Sequence, residues 1–563
     1  MKKLFLGLIV LIILVGIYVI FFTNMLDKPN YMKSDGEIYL NGEIYKDNKL
    51  FIEKNSEIYV DSQWIIDNDL ADISWDEKNK VITFFDGRNI YRFSNEDKIM
   101  KNEKLVEIDL NVFLNINDNI MINIKFLELK TNYMYEFQKE LNRLIIINLE
   151  KYKNIKVSNR TLQVKKDLSY FSESVDLLKK GELYFQLNND NWANIITSRG
   201  EKGYINNSMF FDKMLGALMD IENIVVPIGI ENIRTSKLED QYKKNEFYKQ
   251  INMTWNHFIS KTPNSNKLKS YKGIDVISPT WFSLKNDLSI RDIGTMDYMN
   301  WANTNNYDVW ILFSNGFDPE RTSLLVNDSI KRNTIIKDVI GKTLKYKAKG
   351  INIDFENVYY RDKDMLTQFI KELYANAKNN GLILSMDVTF KSKSENWSMC
   401  YDRKSLSKYL DYIIIMAYDE YWAGRGEAGP VSSIPWVKKN LLRILEEVPN
   451  NQVILGIPFY TRVWEENYKT NKITSKAYSM ESAEKFIEKY SIEIKYDNKM
   501  KLNFGEVESK DKLYKIWLED MDSLNKRIDI AKNAKLAGVA SWRKGFEKKE
   551  VWELLNRKLD KKE

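Results

Sequence analysis

The sequence predicts a multidomain chain. A C-terminal (β/α)8 (TIM) barrel with a small α+β insertion is preceded by two small β-rich domains and one N-terminal transmembrane helix. Three observations predict this. Eight short apolar runs recur from residue 251 to residue 543, with helical patterns in several of the intervals. Near-continuous apolar strands suit a parallel sheet covered on both faces, and strand–helix repeated eight times closes a barrel. Residues 35–150 instead carry strand-like alternation with period two, and residues 4–22 carry no charge at all.

The whole chain sets the bounds. At 563 residues it is too long for one ordinary core. Net charge is only +6, from 85 Lys and Arg against 79 Asp and Glu, and no long basic block occurs, so nothing points to nucleic acid. There is one cysteine, Cys400, and one histidine, His257. An internal disulfide is therefore excluded, as are Cys/His metal sites, and no metal or cofactor is implied. A Ser–His–Asp triad would have to use His257. GKT at 341–343 is not a phosphate loop, because Ile336 stands where that pattern needs glycine.

At the N-terminus, Lys2 and Lys3 precede LFLGLIVLIILVGIYVIFF, residues 4–22. Nineteen such residues cross a hydrocarbon core of about 30 Å. A cleaved signal peptide would have a shorter apolar region ending at small residues. Here the run ends FFTNMLDK, with no A-x-A-like site. Residues 1–27 are accordingly read as a short cytoplasmic tail and an uncleaved anchor. The positive pair stays in the cytoplasm and the bulk of the chain lies outside the cell membrane.

Residues 35–150 read as strands, with IYLNGEIY, LFIEKNSEIYV and KVITFFDGRNIYRF alternating in character. Asp86-Gly87 signals a tight hairpin between VITFF and NIYRF. The stretch IYVDSQWIIDNDLADISWDEKNKVITFFDG, with Trp75, resembles the copper-amine-oxidase N-terminal-like domain of bacterial wall proteins. It has no His or Cys and so no copper chemistry. Residues 155–210 resemble a bacterial SH3-like domain through the KKGE turn, Trp192 and the ending Gly203-Tyr204-Ile205. Such a domain is either a wall-peptide binder or a spacer. Residues 211–247 begin apolar and run into the charged stretch LEDQYKKNEFYKQ, and they read as a linker or connecting helix.

From residue 248 to 563 the eight runs are INMTWNHF, DVISPTWF, DVWILFSN, GINIDFEN, ILSMDVTF, YIIIMAYD, QVILGIPFY and LAGVASWR. Leu366, Phe369, Ile370, Leu373 and Ala377 form one helical face that should stop at Asn380-Gly381. The interval between runs seven and eight, about 461–525, is long enough for an inserted α+β lobe beside the barrel mouth.

The fourth run, KGINIDFENV, poses a chemical question. A buried carboxylate is costly unless paired or used. In a barrel strand side chains alternate, so Asn352, Asp354 and Glu356 share the interior while Ile351, Ile353 and Phe355 meet the helices. Glu356 lies nearest the C-terminal end of its strand, where barrel enzymes work. Asp354 sits about 7 Å deeper. Like charges so close cannot both ionise cheaply, and a raised Glu356 becomes a general acid.

G-x-N-x-D-x-E, together with MAYDEYWAG, LGIPFYTRVW and GVASWRKGF, resembles glycoside hydrolase family 18, in its bacterial cell-wall and spore-associated branch. The resemblance implies a retaining, substrate-assisted reaction on a glycan containing β-1,4-linked N-acetylglucosamine. Carried onto this sequence, it implies Glu356 as acid and base, Asp354 as orienter of the substrate's acetamide, and Tyr418 as its hydrogen-bond partner. Trp542 should form an apolar floor under the sugar and Asp419 should contact substrate. Asn352, Trp281, Asp387, Glu420 and Trp422 are further cleft candidates. Lys349 and Asn352 replace two acids of the fuller family pattern, and Asn352 is expected to hydrogen-bond Asp354. Peptidoglycan or spore cortex is the expected glycan, with chitin as an alternative. A barrel retained only as a wall-binding lectin is the non-catalytic alternative, and it has no need of a proton donor.

Overall fold

The computed structural model describes residues 33–206 and 250–559, apart from 96–97, 102–103, 107–109, 117–118, 153, 170–171 and 189. The expected span 4–22 and the expected linker 211–247 lie outside the described residues. No helix among the described residues is long and apolar enough to cross a membrane. The chain divides into two compact units.

The N-terminal unit is almost entirely β. Glu37–Leu40 pairs with Arg143–Asn148 and Glu43–Lys46, and Glu57–Asp61 pairs with Phe51–Lys54 and Asn119–Asn123. Ile38, Val60, Leu127, Leu144 and Ile146 form its core at 0 % exposure. Val81–Phe85 and Ile90–Asn95 are neighbouring strands, as the Asp86-Gly87 signal predicts. The connection is four residues, not a tight two-residue turn, with Gly87 at φ +85°. Residues 154–206 form a separate six-stranded antiparallel sheet.

The C-terminal unit is a closed parallel barrel. Its strands are β1 (Ile251–Asn256), β2 (Val276–Pro279), β3 (Asp308–Ser314), β4 (Gly350–Asp354), β5 (Ile383–Thr389), β6 (Tyr412–Met416), β7 (Val453–Pro458) and β8 (Gly538–Trp542). Each pairs in parallel with the next, and β8 pairs with β1 to complete the ring. Gly538 makes the closing contact, since a Cβ there would meet the Ile251 carbonyl oxygen at 2.1 Å.

The expected eightfold strand–helix repeat has one exception. The β1–β2 connection holds only a short 3-10 turn, Ser265–Lys267, so that side of the barrel rim is a loop. The helix after β4 spans Lys363–Asn379. Its predicted face, Leu366, Phe369, Ile370, Leu373 and Ala377, is 0 % exposed. Burial of such a Leu, Ile or Phe side chain contributes about 1.5–3 kcal/mol. The helix ends at Asn380, and Gly381 takes the left-handed conformation, φ +68°, that favours glycine at this place.

Two apolar layers result. Met253, Trp255, Val276, Trp310, Leu312, Ile414, Ile454 and Ala540 fill the barrel interior. Ile351, Ile353 and Phe355 belong to the larger cluster between strands and helices. Between β7 and β8, a five-stranded antiparallel sheet (Tyr460–Asn467, Lys472–Ser479, Ile494–Asp497, Leu502–Ser509, Lys512–Trp517) and the helix Met480–Tyr490 form the inserted lobe.

Candidate active site

Strand β4 sets the register of the site. Phe355 is fully buried and stacks on Phe369, with ring centroids 5.6 Å apart and 10° between planes. That contact forces the flanking residues inward, and Asp354 and Glu356 keep an accessible edge at the C-terminal end of the strand. The Glu356 backbone is clamped from both sides. Asn315, at the end of β3, donates Nδ2–H to the Glu356 carbonyl (2.7 Å) and accepts from the Glu356 N–H (3.2 Å). On the other side, the Tyr401 hydroxyl donates to the Phe355 carbonyl (2.8 Å), and the Val358 N–H donates to the Asn396 carbonyl (2.9 Å).

Asn352, one layer deeper, does not bond to Asp354 as the sequence suggests. Its oxygen accepts from Trp255 Nε1 (2.9 Å) and Ser278 Oγ (3.3 Å). Its nitrogen donates to Asp387 Oδ1 (2.9 Å) and Ser385 Oγ (3.3 Å). All four partners of a buried amide are thus satisfied within the barrel, and at 0 % exposure Asn352 cannot touch substrate. The alternation along β4 was read correctly, but the partner comes from β5.

Three carboxyls therefore converge: Asp354, Glu356 and Asp387. Desolvation raises all three, and repulsion from the neighbouring carboxylates adds to it at Glu356 and Asp387. Asp354 is pushed up to about 6 by burial, with a hydrogen bond from Glu356 opposing the rise. Glu356 is held well above the usual carboxylate range by burial first, then by the charges of Asp354 and Asp387. At neutral pH the Asp354–Glu356 pair thus shares a proton that resides on Glu356.

This arrangement has a stability consequence. Between 3.8 and about 6 the folded state holds more protons at Asp354 than the unfolded chain does, so this group's contribution falls as pH rises through that window. The Asp354→Asn variant should therefore gain on the order of 1–3 kcal/mol in the barrel transition at pH 7.5 and almost nothing at pH 3.5. Denaturant unfolding at the two pH values measures it. An equal gain at both would remove the desolvated charge as the cause.

Across the mouth, Tyr418 follows β6. Gly456 on β7 admits its ring, since a Cβ there would lie 3.3 Å from Tyr418 Cε1 and 2.6 Å from the Ile415 carbonyl oxygen. Burial raises the Tyr418 hydroxyl well above its ordinary value, and Asp387, Glu356 and Asp354 act on it in the same sense, so it is a donor at every physiological pH. Asp419 takes a left-handed conformation, φ +57°. It accepts from the Tyr460 hydroxyl (2.6 Å) and Arg462 (3.2 Å), both on the first strand of the inserted lobe. Glu420 accepts the Ser433 N–H (2.7 Å), at the N-cap of the helix Ile434–Leu445. That bond ties the loop to the start of the helix. Trp422 stands 53 % exposed on that loop, over the Gly424 backbone.

Trp542 ends β8, partly exposed, with its ring 5.7 Å from those of Trp255 and His257. Trp281 is not in the cleft. It is 1 % exposed and packs among Tyr298 and Tyr346 in the strand–helix layer, because the chain leaves β2 before residue 281. Cys400 is buried, and burial lifts its thiol to about 11, so it offers no thiolate at neutral pH. Several residues at the site were not singled out from sequence: Trp255, Asn315, Tyr401, Tyr460 and Arg462, and the exposed pair Phe317 and Trp397, whose rings are 6.4 Å apart. Tyr460 and Arg462 lie within LGIPFYTRVW, so position in a motif was the available signal.

Comparison with known proteins agrees with this geometry. Residues 39–146 match the model of the copper amine oxidase N-terminal domain. An uncharacterized glycosylase, YvbX, of Bacillus subtilis is 27% identical over 330 residues, which are 56% of this chain and 94% of that protein. The cortical fragment-lytic enzyme of Bacillus anthracis is 25% identical over 42% of this chain and 56% of its own length. The chain thus spans only about half the length of that relative. The crystal structure of the spore cortex-lytic enzyme SleL of Bacillus megaterium shares the fold at a TM-score of 0.50 and 22% identity, covering 55% of this chain and 73% of that one. Residues 237–546 match the model of glycosyl hydrolases family 18. The closed barrel is thus a glycoside hydrolase domain, and the chain belongs to glycosyl hydrolases family 18.

Proposed function

We propose that this chain hydrolyses β-1,4-linked, N-acetylglucosamine-containing glycan by a retaining, substrate-assisted mechanism, and that the glycan is peptidoglycan, of the wall or the spore cortex. The observation that carries the reading is the carboxyl pair, with its proton on Glu356 and Tyr418 opposite.

Glu356 gives its proton to the glycosidic oxygen as the bond from that oxygen to C1 breaks. The substrate's own acetamido oxygen bonds to C1 from the opposite face and forms an oxazolinium ion. Asp354, relieved of the shared proton, accepts the acetamido N–H and balances the positive charge. Tyr418 donates to the acetamido oxygen and aims it. Water then attacks C1 and returns a proton to Glu356, and the two inversions sum to retention. Trp542 supplies the flat apolar surface under the ring. Asp419, held by Tyr460 and Arg462, is the substrate contact on the β6 side.

Peptidoglycan is favoured over chitin because the accessory domain of residues 39–146 matches a module read as wall-associated, and relatives are named for cortex lysis. The apolar segment 4–22 would hold the enzyme on the outer face of the cell membrane. The test is a digest of purified sacculi, cortex and chitin, side by side, with mass analysis of new reducing ends and NMR of their anomeric configuration. Retained N-acetylglucosamine ends are expected. Inverted product would overturn the mechanism, and reducing ends from chitin alone would overturn the substrate.

A further inference from the structure

Beside Trp542 runs an open groove of about 340 Å³, lined by His257, Phe258, Ile259, Ser260, Lys261, Pro263 and Arg543. Its lining has two cations, one imidazole and no acid. Arg543 directly follows Trp542 in the chain, and its guanidinium lies over the Phe546 ring, 4.1 Å from the centroid. The guanidinium itself makes no hydrogen bond or ion pair among the described residues. Glu547, which acts on it electrostatically, is already taken up by the Gly545 N–H (2.6 Å) and Trp552 Nε1 (3.1 Å). His257 Nδ1 is likewise buried without a partner. A half-buried guanidinium with none of its N–H groups hydrogen-bonded is costly, because the nearby Glu547 charge relieves only part of its desolvation, and such a group is suited to receive an anion.

The loop that forms the other wall is fixed in advance. The Phe258 N–H donates to Thr280 Oγ1 (2.7 Å), and that hydroxyl donates back to the Phe258 carbonyl (3.0 Å). Arg291 holds the Ile259 and Ser260 carbonyls (2.7 and 3.2 Å), and Thr262 donates to the Ile293 carbonyl (2.6 Å). Because β1–β2 lacks a helix, this tied loop is the rim. Such preorganisation lowers the entropy lost when a ligand binds.

We propose that this groove binds a carboxylate carried on a substituent of the glycan, with Arg543 as the principal contact and Lys261 as the second. It rests on the reading of Trp542 as a sugar platform and adds to it a specificity determinant. A neutral chitin chain has nothing to place there. A muramic acid residue does, either as its lactyl carboxylate or as a carboxylate of the attached peptide.

The test compares three glycans of one length: peptide-free with a free lactyl carboxylate, peptide-bearing, and carboxyl-neutral through reduction or internal lactam formation. For each, kcat/KM is measured with the full chain and with Arg543→Gln, Arg543→Lys and Lys261→Gln, together with calorimetric binding. The carboxylate-to-neutral ratio of kcat/KM is expected to fall at least tenfold in Arg543→Gln, through KM, and to return largely in Arg543→Lys. Loss on the peptide-free glycan identifies the lactyl group, and loss on the peptide-bearing glycan alone identifies the peptide. A ratio unchanged by all three variants overturns the proposal. If no glycan is cut, the hydrolytic reading fails, and the binding ratio alone still decides the groove.

Discussion

The Glu356→Gln variant should lose about 10²–10⁴-fold in turnover on N-acetylglucosamine oligomers or muropeptide glycan, the usual worth of general acid catalysis. Binding should survive, because the amide keeps the shape and can still hydrogen-bond Asp354. The structural grounds are specific. Glu356 is held protonated by burial and by two neighbouring carboxylates, and its backbone is clamped by Asn315. Glutamine removes the proton and leaves the clamp untouched. Steady-state kinetics with parallel calorimetry measures both quantities. Unchanged turnover would take Glu356 out of the mechanism, and a parallel loss of binding would make it a substrate anchor only.

The second large effect belongs to the substrate. A glycan whose acetamido groups have been removed should bind but remain uncut, with turnover at the limit of detection. The acetamido oxygen is the nucleophile in this mechanism, and no protein group can replace it. Asp354 shares its proton with Glu356 and sits one layer below it, and Asp387 is 2 % exposed and bonded to Asn352. Matched oligomers with and without acetyl groups, assayed side by side, measure this. Equal cleavage of the two would end the substrate-assisted reading and call for a carboxylate nucleophile instead.

Much of this site was legible in the linear chain. Alternation in KGINIDFENV separated inward polar residues from outward apolar ones, and Phe355 packing on Phe369 is that separation realised. The eight apolar runs became eight parallel strands because each is buried on both faces. Trp281 shows where such reading stops. An aromatic residue just past a strand is equally suited to a cleft or to a core, and only the path of the chain after Pro279 put it beside Tyr298. Glu420 was read as a cleft residue on the same slender grounds, and the sequence gives no sign that its carboxylate also holds the Ser433 N–H.

What the sequence determined by itself was periodic and local. It decided which strand carries the acids, which face they occupy, where the following helix ends, and which chemistry their crowding favours. Tertiary structure alone decided the partners. Asn352 turned to Asp387 rather than Asp354, Asp419 gained Tyr460 and Arg462 from the inserted lobe, and Arg543 was left facing a groove whose lining holds no acid. The physical reason is that side-chain alternation follows from neighbouring residues on one strand. Hydrogen-bond and charge partners come from strands far apart in the chain, brought together only when the barrel closes.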